Sequence, residues 1–552
     1  MSEAVGGLPR LDFDNSALRE LPVDPETRNF RRFARGACLS RVAPTPVAAP
    51  SMACWVPEVA ALLGLPERLD GDAESAAAAV FAGNATLPGS EPYAWRYGGH
   101  QFGHWADQLG DGRAISLGEV RVGAAGERWE LQLKGAGPTP YSRQGDGRAV
   151  LRSSLRELLC SEAMAHLGVP TTRALSLVTT GEPVVRDMFY DGHARPEPGA
   201  IVCRVAPSFL RIGHFEILAA HGEGAAHQAL LDHVVRRHYP ALASLPRREA
   251  ALGLLTAVAE RSAEMVVHWQ RVGFVHGVLN TDNISLLGLT IDYGPYGWLD
   301  TWDPDWTPNT TDAHGRRYRF GAQPEVVLWN LVQLANALYP AAPDVPALEA
   351  ALARYEAVLS PGLERMFRQR LGLPGPDEPG SAEEEDAALV LGLGELMSAA
   401  ETDPTLLYRA LATLPAVTGG AAAPAAEVDA ADADALWAVV EPALYDAEAT
   451  RTTLEARWLG WLRRYRQRLR ALGRPDVERA RATNALNPAV IPRNFLAQEA
   501  IDAAEQGEFG PLHALLDASR RPYEEPSNPA FSRKRPEWAR SRPGCSMLSC
   551  SS

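Results

Sequence analysis

Residues 276–295 read HGVLNTDNISLLGLTIDYGP. Asn283 follows His276 by seven residues, and nine residues later Asp292 opens an Asp-Tyr-Gly sequence. Protein kinases carry H-R-D-x-x-x-x-N followed by D-F-G, in which the first Asp is the catalytic base and the Asn and second Asp bind magnesium. Here Val278 stands at the position of the base, and a valine side chain cannot accept a proton. The stretch therefore predicts a kinase-like catalytic loop in a protein that is either inactive or catalyses a different transfer.

Two side chains of this loop are candidate metal ligands, Asn283 and Asp292. The apolar residues between them predict a short hairpin, which would bring both side chains to neighbouring ends. Magnesium takes hard oxygen ligands, few of them from protein, so one amide and one carboxylate meet its needs beside phosphate. A helix cap at Asp282 and a plain turn at Asp292 are the structural alternative. Asp282 is the nearby carboxylate that could accept a proton in place of the missing base.

A candidate lysine–glutamate pair lies upstream of the loop. Lys134 ends the strand-like run ELQLKGAG (130–137), and Glu157 lies in the segment 151–168, which has helical periodicity. In kinases a strand lysine paired with a helix glutamate orients a cation onto phosphates. Either residue alone would be interpreted as a surface charge, but the ordered pair ahead of the loop indicates a nucleotide site.

Two glycine-rich stretches, 97–114 and 141–154, both contain the sequence Gly-Asp-Gly-Arg. Glycine lets backbone amides approach phosphate oxygens and arginine adds a charged fork, although Gly-Asp-Gly is also a common tight turn. The sequence has no GxxxxGK[ST] motif, which excludes a nucleoside triphosphatase of the Walker type. Glycines surround His100 and His104, so this pair predicts a turn or polar packing rather than zinc ligation.

Arg204 and Arg211 lie in VCRVAPSFLRIGHFE (202–216). In isolation, both would be surface charges beside a strand. If they turn inward, they join Lys134 to give three cations, which is more positive charge than a kinase keeps on its γ-phosphate.

The composition is that of a globular protein with two or three packed units: 552 residues, 46% hydrophobic and 22% charged. The formal net charge of −14 gives no general basic field for nucleic acid or an anionic membrane. No apolar run reaches the roughly 18 residues of a membrane span, the N-terminus does not resemble a secretory signal, and the six cysteines form no CxxC pair. We therefore expect a cytoplasmic protein without a membrane span, a disulfide scaffold or structural zinc.

A strand-rich, glycine-rich half precedes a helix-rich half, so we predict an α+β, protein-kinase-like bilobal fold with an N-terminal extension and an extra helical C-terminal region. Two Pro-, Gly-, Ala- and acid-rich segments, 374–388 and 418–435, are typical of loops or linkers. The expected units are an N-terminal extension (1–90), a strand-rich N-lobe (91–220), a helical C-lobe (221–417) with its metal loop (276–300), a linker-like segment (418–435) and a helical C-terminal region (436–552).

Long strings of this sequence resemble the selenoprotein O family, also called the YdiU family, over nearly the full chain. The strings that carry the resemblance are LDFDNSALRELP (11–22), GGHQFGHWADQLGDGRAISLGE (98–119), ELQLKGAGPTPYSRQGDGRAVLRSSLRE (130–157), HGVLNTDNISLLGLTIDYGPYGWLD (276–300) and NPAVIPRNFLAQEAI (487–501).

The resemblance implies a kinase-like fold that binds ATP in a flipped orientation with Mg²⁺ or Mn²⁺. It implies transfer of AMP to Ser, Thr or Tyr hydroxyls of proteins, with release of pyrophosphate. By motif position it assigns Asp282 as proton acceptor, and Asn283 and Asp292 as metal ligands. The nucleotide-binding positions it implies are Gly110, Gly112, Arg113, Lys134, Asp146, Gly147, Arg204, Arg211 and Asp292, with Glu157 as the partner of the lysine. Transfer of UMP from UTP, or a non-catalytic ATP-binding scaffold, are the alternatives.

The C-terminal tail, MLSCSS, places Cys550 third from the end, where selenoprotein members of the family hold selenocysteine. The chain thus resembles a cysteine version of the family. A thiol there could pair with Cys545 or with a redox-related partner protein; an unreactive tail is the alternative. Some bacterial members carry a further cysteine after Asp-Tyr-Gly, but Pro308 stands in that place here, which puts that disulfide in doubt.

Overall fold

The computed structural model describes residues 6–416 and 430–549. A strand-rich lobe comes first in the chain and a helical lobe follows it, so the predicted α+β bilobal plan is confirmed. The strands are β1 (Asp12–Phe13), β2 (Leu39–Arg41), β3 (Ser51–Trp55), β4 (Tyr93–Trp95), β5 (His100–Gln101), β6 (His104–Trp105), β7 (Ala114–Val122), β8 (Glu127–Lys134), β9 (Arg173–Arg186), β10 (Arg195–Ala206), β11 (Phe274–Val275) and β12 (Gly297–Trp298). The helices are α1 (Ser16–Glu20), α2 (Pro57–Leu62), α3 (Gly71–Phe81), α4 (Leu151–His166), α5 (Ile212–Ala220), α6 (Gly224–His238), α7 (Arg247–Val272), α8 (Gln323–Leu338), α9 (Val345–Arg370), α10 (Glu383–Ala399), α11 (Pro404–Ala412), α12 (Ala430–Val440), α13 (Ala447–Leu472), α14 (Asp476–Asn484), α15 (Asn494–Ala504) and α16 (Gly510–Ser519).

The strand-rich lobe is built on one antiparallel sheet in the order β2-β4-β7-β8-β10-β9-β3, with β1 paired to β7. Side chains alternate between the two faces of a strand. On β8, Leu131 and Leu133 therefore enter the apolar core of this lobe, while Gln132 and Lys134 face the other side. The two edge strands, β2 and β3, come from the expected N-terminal extension, so part of residues 1–90 completes the sheet.

Helix α4 lies in the middle of the first lobe and buries 13 of its 16 residues. A surface helix buries only one stripe, so α4 must be covered on several sides. β9 and β10 pack against it from the sheet, and α15 and α16 pack against it from the C-terminal region. The glutamate at 157 is therefore carried by a fixed helix.

The helical lobe is organised around α7, which packs against α8 and α9. Gly273 ends α7 in the left-handed conformation, at φ 72°, which glycine adopts without strain. The chain then passes through the short strand β11 directly into the loop that begins at His276. The helix end thus fixes where the catalytic-type loop starts.

Two expected loop segments contain helix. α10 begins at Glu383, inside the segment 374–388, because four acidic residues fall in its first turn, where they favour the positive end of the helix dipole. α12 begins at Ala430, inside the segment 418–435; residues 418–429 of that segment lie outside the described part. The other boundaries of the expected units stay predictions.

The last described residues run between the two lobes. Leu548 donates its amide to the carbonyl of Pro308 at 2.9 Å and accepts from the amide of Thr310 at 2.7 Å, and Ser549 donates to the carbonyl of Met188. Across the described residues, no helix is both long and apolar enough to cross a membrane.

Candidate active site

A cleft of about 920 Å³ lies between the lobes, which is within the size range of small-molecule sites. Residues of both lobes line it, and ten of the residues singled out from the sequence are among them: Gly110, Gly112, Arg113, Lys134, Asp146, Gly147, Arg204, Asp282, Asn283 and Asp292. Glu157 and Arg211 contact the lining residues from behind.

A cluster of five charged side chains forms the inner wall of the cleft. Lys134 Nζ lies 2.5 Å from Glu157 Oε2 and 3.7 Å from Asp292 Oδ1. Arg204 donates to Glu157 Oε1 at 3.0 Å and also to Asp292 Oδ1. Arg211 donates to Asp292 Oδ2. Both arginines turned inward, and the lysine–glutamate pair is formed as in kinases.

The sheet register explains why these side chains meet. Arg204 of β10 lies directly opposite Gln132 of β8, and the glutamine oxygen accepts from the guanidinium. Lys134 lies two residues further along β8, on the same face. Arg211 immediately precedes α5, and its guanidinium stacks 4.6 Å above the ring of Tyr97.

The cluster holds three cations and only two carboxylates. Burial alone would raise the pKa of Asp292, but Arg211, Arg204 and Lys134 outweigh it and hold the pKa well below its usual value. Burial lowers the pKa of Lys134, against the opposing pull of Glu157 and Asp292. In the described part of the chain, the buried Arg204 Nε and Arg211 Nη2 have no hydrogen-bond partner. Buried donors of this kind favour an anion.

Lys134 is one of two lysines in the chain, the other being Lys534; every other strong cation is an arginine. An ammonium is a compact point charge, whereas a guanidinium is a wide planar fork. Lys134 therefore brings a point charge to Glu157 and Asp292, whereas Arg204 reaches the same two carboxylates with a planar fork.

Asp282 lies in a single 3-10 turn, Thr281–Asn283, at the mouth side of the cluster. Burial raises the pKa of its carboxyl to about 7, against the opposing effect of Arg211. Its Oδ1 is buried without a partner among the described residues, and Oδ2 lies 3.5 Å from Gln101 Nε2. Arg211 fixes the turn by donating to the Asp282 carbonyl at 2.8 Å. This carboxyl is suited to exchange a proton near neutral pH.

Asn283 and Asp292 are joined by the predicted hairpin, since Ile284 pairs with Thr290 as an antiparallel bridge. Asn283 donates its amide to the Val278 carbonyl at 2.9 Å, so its amide oxygen is directed away from that bond.

The donor set at this position fits a hard divalent ion. Among the described residues, no group of three or more His, Cys, Asp or Glu could hold a metal by itself. One amide oxygen from Asn283 and one carboxylate from Asp292 suit Mg²⁺ or Mn²⁺ when phosphate and water supply the remaining ligands.

The two glycine-rich stretches form the roof of the cleft. A side-chain carbon on Gly110 would lie 2.5 Å from the Tyr141 ring, and one on Gly147 would lie 2.1 Å from the Gly137 backbone. Both glycines have positive φ, so no other residue fits. Asp146 forms a two-point ion pair with Arg186 at 2.7 and 2.8 Å, which ties the roof to the end of β9.

Sequence reasoning missed several cleft residues. Gln132 and Arg186 hold site residues in place but belong to no local motif, whereas the buried Asp111 lies inside the first Gly-Asp-Gly-Arg string and was not singled out. Gln101 was overlooked because the glycines around it indicated only a turn. The string GGHQFGHW itself was the available signal, since two histidines and a tryptophan among glycines are unusual in a plain turn.

The two candidate redox cysteines are not both described. Cys545 is a buried free thiol, and burial raises its pKa to about 12, which keeps the reactive thiolate scarce. Cys550 lies outside the described residues. A redox role for the pair stays a prediction.

Comparisons with known proteins agree with this geometry. The family described as "Protein adenylyltransferase SelO" matches residues 36–520. The chain is 56% identical to a "Protein nucleotidyltransferase YdiU" of Azoarcus sp. over 98% of this chain and 99% of that one. It is 53% identical to the protein of the same name from Aromatoleum aromaticum, over 99% and 100% of the two chains.

A solved structure, ROP2 of Toxoplasma gondii, described as a virulence factor with a protein-kinase fold and no enzymatic activity, is 15% identical and covers 49% of this chain and 77% of its own, with a TM-score of 0.20. That score is too low to support any conclusion. The family match and the two relatives span almost the whole chain, and on that basis the chain belongs to the SelO family of protein adenylyltransferases.

Proposed function

We propose that this protein transfers AMP from ATP to Ser, Thr or Tyr hydroxyls of other proteins and releases pyrophosphate. Membership of the family makes it a protein nucleotidyltransferase. The donor nucleotide, the acceptor residues and the roles of individual side chains are the proposal.

The meeting of three buried cations at one wall of the cleft is the observation that carries the proposal. Lys134, Arg204 and Arg211 share two carboxylates, and two guanidinium nitrogens remain without partners among the described residues. Attack at the α-phosphorus expels pyrophosphate, which gathers negative charge as it leaves. Fixed cations in a dry site are commonly the largest catalytic contribution. Three cations around the β- and γ-phosphates suit that leaving group and leave the α-phosphorus open to the acceptor.

Asp282 accepts the proton in this mechanism. The acceptor oxygen forms a bond to the α-phosphorus while the bond from that phosphorus to the bridging oxygen of pyrophosphate breaks. Pyrophosphate takes the electron pair, and the hydroxyl proton passes to the Asp282 carboxylate. The raised pKa of about 7 suits a group that must take a proton and return it to water, and such a base contributes about 10²–10⁴-fold.

Asn283 and Asp292 would hold the divalent ion, whose chemistry is to neutralise phosphate charge. Within the protein, Arg204 and Arg211 balance the Asp292 carboxylate. Phosphate oxygens compete for the same two guanidinium groups, so nucleotide binding frees Asp292 to act as a metal ligand.

The test is transfer from ATP labelled at either the α- or the γ-phosphate, with Mg²⁺ or Mn²⁺ and a soluble protein extract as acceptor. We expect protein-bound label from α-labelled ATP, and its loss in Asp282→Ala. Label from γ-labelled ATP only would identify a kinase instead. The intact mass of a modified protein distinguishes AMP from UMP when UTP is offered in parallel.

The non-catalytic scaffold makes the opposite prediction. It requires that Asp292→Ala leave the cellular phenotype of a deletion strain fully complemented while Cys550→Ser abolishes complementation. Complementation that fails with Asp292→Ala and persists with Cys550→Ser supports catalysis.

A further inference from the structure

The hairpin formed by β5 and β6 lies on the catalytic loop. We call residues 98–105 the GH hairpin. The His100 amide donates to Thr281 Oγ1 at 2.7 Å and the Phe102 amide donates to Asn280 Oδ1 at 3.1 Å. A side-chain carbon on Gly99 would lie 3.1 Å from the Asp282 carboxylate. The hairpin therefore borders the place where an acceptor hydroxyl must reach Asp282.

The tip of the GH hairpin contacts a second element, the segment after Asp-Tyr-Gly. Phe102 and Gly103 both have positive φ, as a tight two-residue hairpin turn requires. A side-chain carbon on Gly103 would lie 3.6 Å from the guanidinium carbon of Arg317. The absence of a side chain at 103 thus lets the tip of the hairpin lie directly against the Arg317 guanidinium.

Arg317 is held flat but not neutralised. Its guanidinium carbon lies 4.7 Å above the Trp329 ring, and Tyr318 lies on its other side at 5.9 Å. Asp312, the nearest acid in the sequence, accepts from the backbone amides of residues 317 and 318 at 3.0 and 2.7 Å.

The neighbouring Arg319 differs from Arg317 because it forms an ion pair. It forms an ion pair with Asp305 at 2.9 Å. No carboxylate in the described ranges lies within ion-pair distance of the Arg317 guanidinium, and its Nε is buried without a hydrogen-bond partner there. Arg317 is therefore an ordered, half-buried cation that interacts with Tyr318 and Asp312 and keeps its Nε donor without a partner among the described residues.

We propose that Arg317 recognises an acidic side chain of the acceptor protein, located a few residues from the hydroxyl that is modified. This inference rests on the proposed function and adds to it the chemical class of the acceptor. A guanidinium stacked on an aromatic ring is already ordered, so binding a carboxylate in its two-pronged fork costs little further entropy.

The geometry sets the range of the recognised residue. Gln101 reaches Asp282, and two residues further on the same hairpin Gly103 faces Arg317. An extended acceptor chain advances about 3.3–3.6 Å per residue, so a few residues carry it from Asp282 along the hairpin to Arg317. The Trp105 ring, 37% exposed, lies on the same hairpin and offers an apolar surface to the residues between.

The net charge of the protein explains why a cation near the site would be selective. The chain carries a net charge of −14, so it repels acidic proteins in general, and a local cation at the mouth selects those that present an acid in the right place.

The experiment maps modified hydroxyls in a soluble protein extract by mass spectrometry, after reaction with wild type, Arg317→Met, Arg317→Glu and Arg474→Glu. Arg317→Met keeps the aliphatic stem on Trp329, and Arg474 is an exposed arginine of the C-terminal region that serves as the charge-matched control. Peptides from mapped sites, each with Asp, Asn or Lys at the enriched position, then give kcat and KM.

We expect modified sites to be enriched in Asp or Glu within about five residues. For wild type and Arg474→Glu, kcat/KM for the Asp peptide should exceed that for the Asn peptide about tenfold, mainly through KM. Arg317→Met should lose the difference, and Arg317→Glu should prefer the Lys peptide. Unchanged nucleotide affinity in both variants shows that the cleft is intact.

Two failures are distinguishable. If wild type modifies proteins without acidic enrichment, or if Arg317→Glu keeps the preference for the Asp peptide, the inference on Arg317 is wrong and the proposed transfer stands. If wild type binds nucleotide but modifies no protein, the proposed transfer is wrong and the recognition site falls with it.

Discussion

Two buried arginine clusters in this protein differ in their charge balance. In the cleft, three cations share the carboxylates of Glu157 and Asp292. At the junction of the helical lobe with the C-terminal helices, the single cation Arg493 lies between two acids, 3.1 Å from Asp300 and 2.8 Å from Asp403.

The junction cluster is closed by further contacts, because Asp403 also caps α11 by accepting from the Leu406 amide at 3.1 Å. It joins three chain segments and offers nothing to a ligand. The cleft cluster keeps unpartnered donors within the described residues and lines a cavity. The difference teaches that buried charged groups with unpartnered donors at the wall of a cavity, rather than burial of charge as such, indicate a site for a ligand of the opposite charge.

The largest effect is expected from Asp292→Asn, which keeps the shape and removes the carboxylate. Transfer should fall by at least about 10³-fold, because a metal ligand and the partner of two arginines are lost together. Single-turnover transfer at saturating ATP measures this. Asp300→Asn is the matched change in the junction cluster and should keep the wild-type rate. An Asp292→Asn rate within tenfold of wild type would contradict the assignment.

Arg493→Met should act on stability instead. It leaves two buried acids without their cation, which costs about 3–5 kcal/mol of the free energy of unfolding. Urea unfolding followed by circular dichroism measures the loss, with exposed Arg474→Met as the control. The folded fraction should transfer at the normal rate, so a catalytic defect with unchanged stability would remove the contrast between the clusters.

Lys134→Arg tests the requirement for a small cation. The charge is kept, but a wide planar fork cannot reproduce the position of the ammonium, which lies 2.5 Å from Glu157 Oε2 and 3.7 Å from Asp292 Oδ1, so we expect a loss of about 10²-fold in kcat/KM. Lys534→Arg is the control, because Lys534 lies away from the cleft, where it donates to the Leu444 carbonyl at 2.7 Å and lies 5.7 Å from the centre of the Tyr445 ring. Equal activity of both variants would show that any cation suffices at position 134.

The smallest effect is expected from the binding of ATP, which stabilises the folded protein. ATP with Mg²⁺ at ten times its Kd should raise the free energy of unfolding of wild type by about 1.4 kcal/mol. Arg211→Met should shrink this shift at the same ATP concentration, while Asp300→Asn should keep it in full. Thermal unfolding with and without nucleotide measures both, and an undiminished shift in Arg211→Met would place the phosphates elsewhere.

Local sequence patterns predicted the parts of the site that are local in structure. The loop from His276 to Asp292 is short, so its spacing carries its geometry, and the Lys134–Glu157 pair follows from one strand and the next helix. The sequence did not decide whether Arg204 and Arg211 face the cleft or the surface. Their orientation depends on the register of β10 against β8 and on the start of α5, which bring together residues about 70 apart in the chain.

Contacts between residues still further apart in the sequence could not be predicted from local patterns for the same reason. The GH hairpin meets the catalytic loop across 181 residues, and nothing in either segment encodes the meeting. The missed helix start at Glu383 has a different cause, since composition typical of a linker also supplies good first-turn residues.

Helices α15 and α16 pack on α4, so the support of the active site depends on the last part of the chain to be synthesised. The residues that line the cleft have all been synthesised once the chain reaches position 295. The helices α15 and α16, which pack on the helix that carries Glu157, follow only at residues 494–519. A nascent or truncated chain that stops before them has the complete set of cleft side chains on an unsupported frame. We therefore expect a chain that ends before residue 494 to lose transfer activity although it keeps every side chain that lines the cleft.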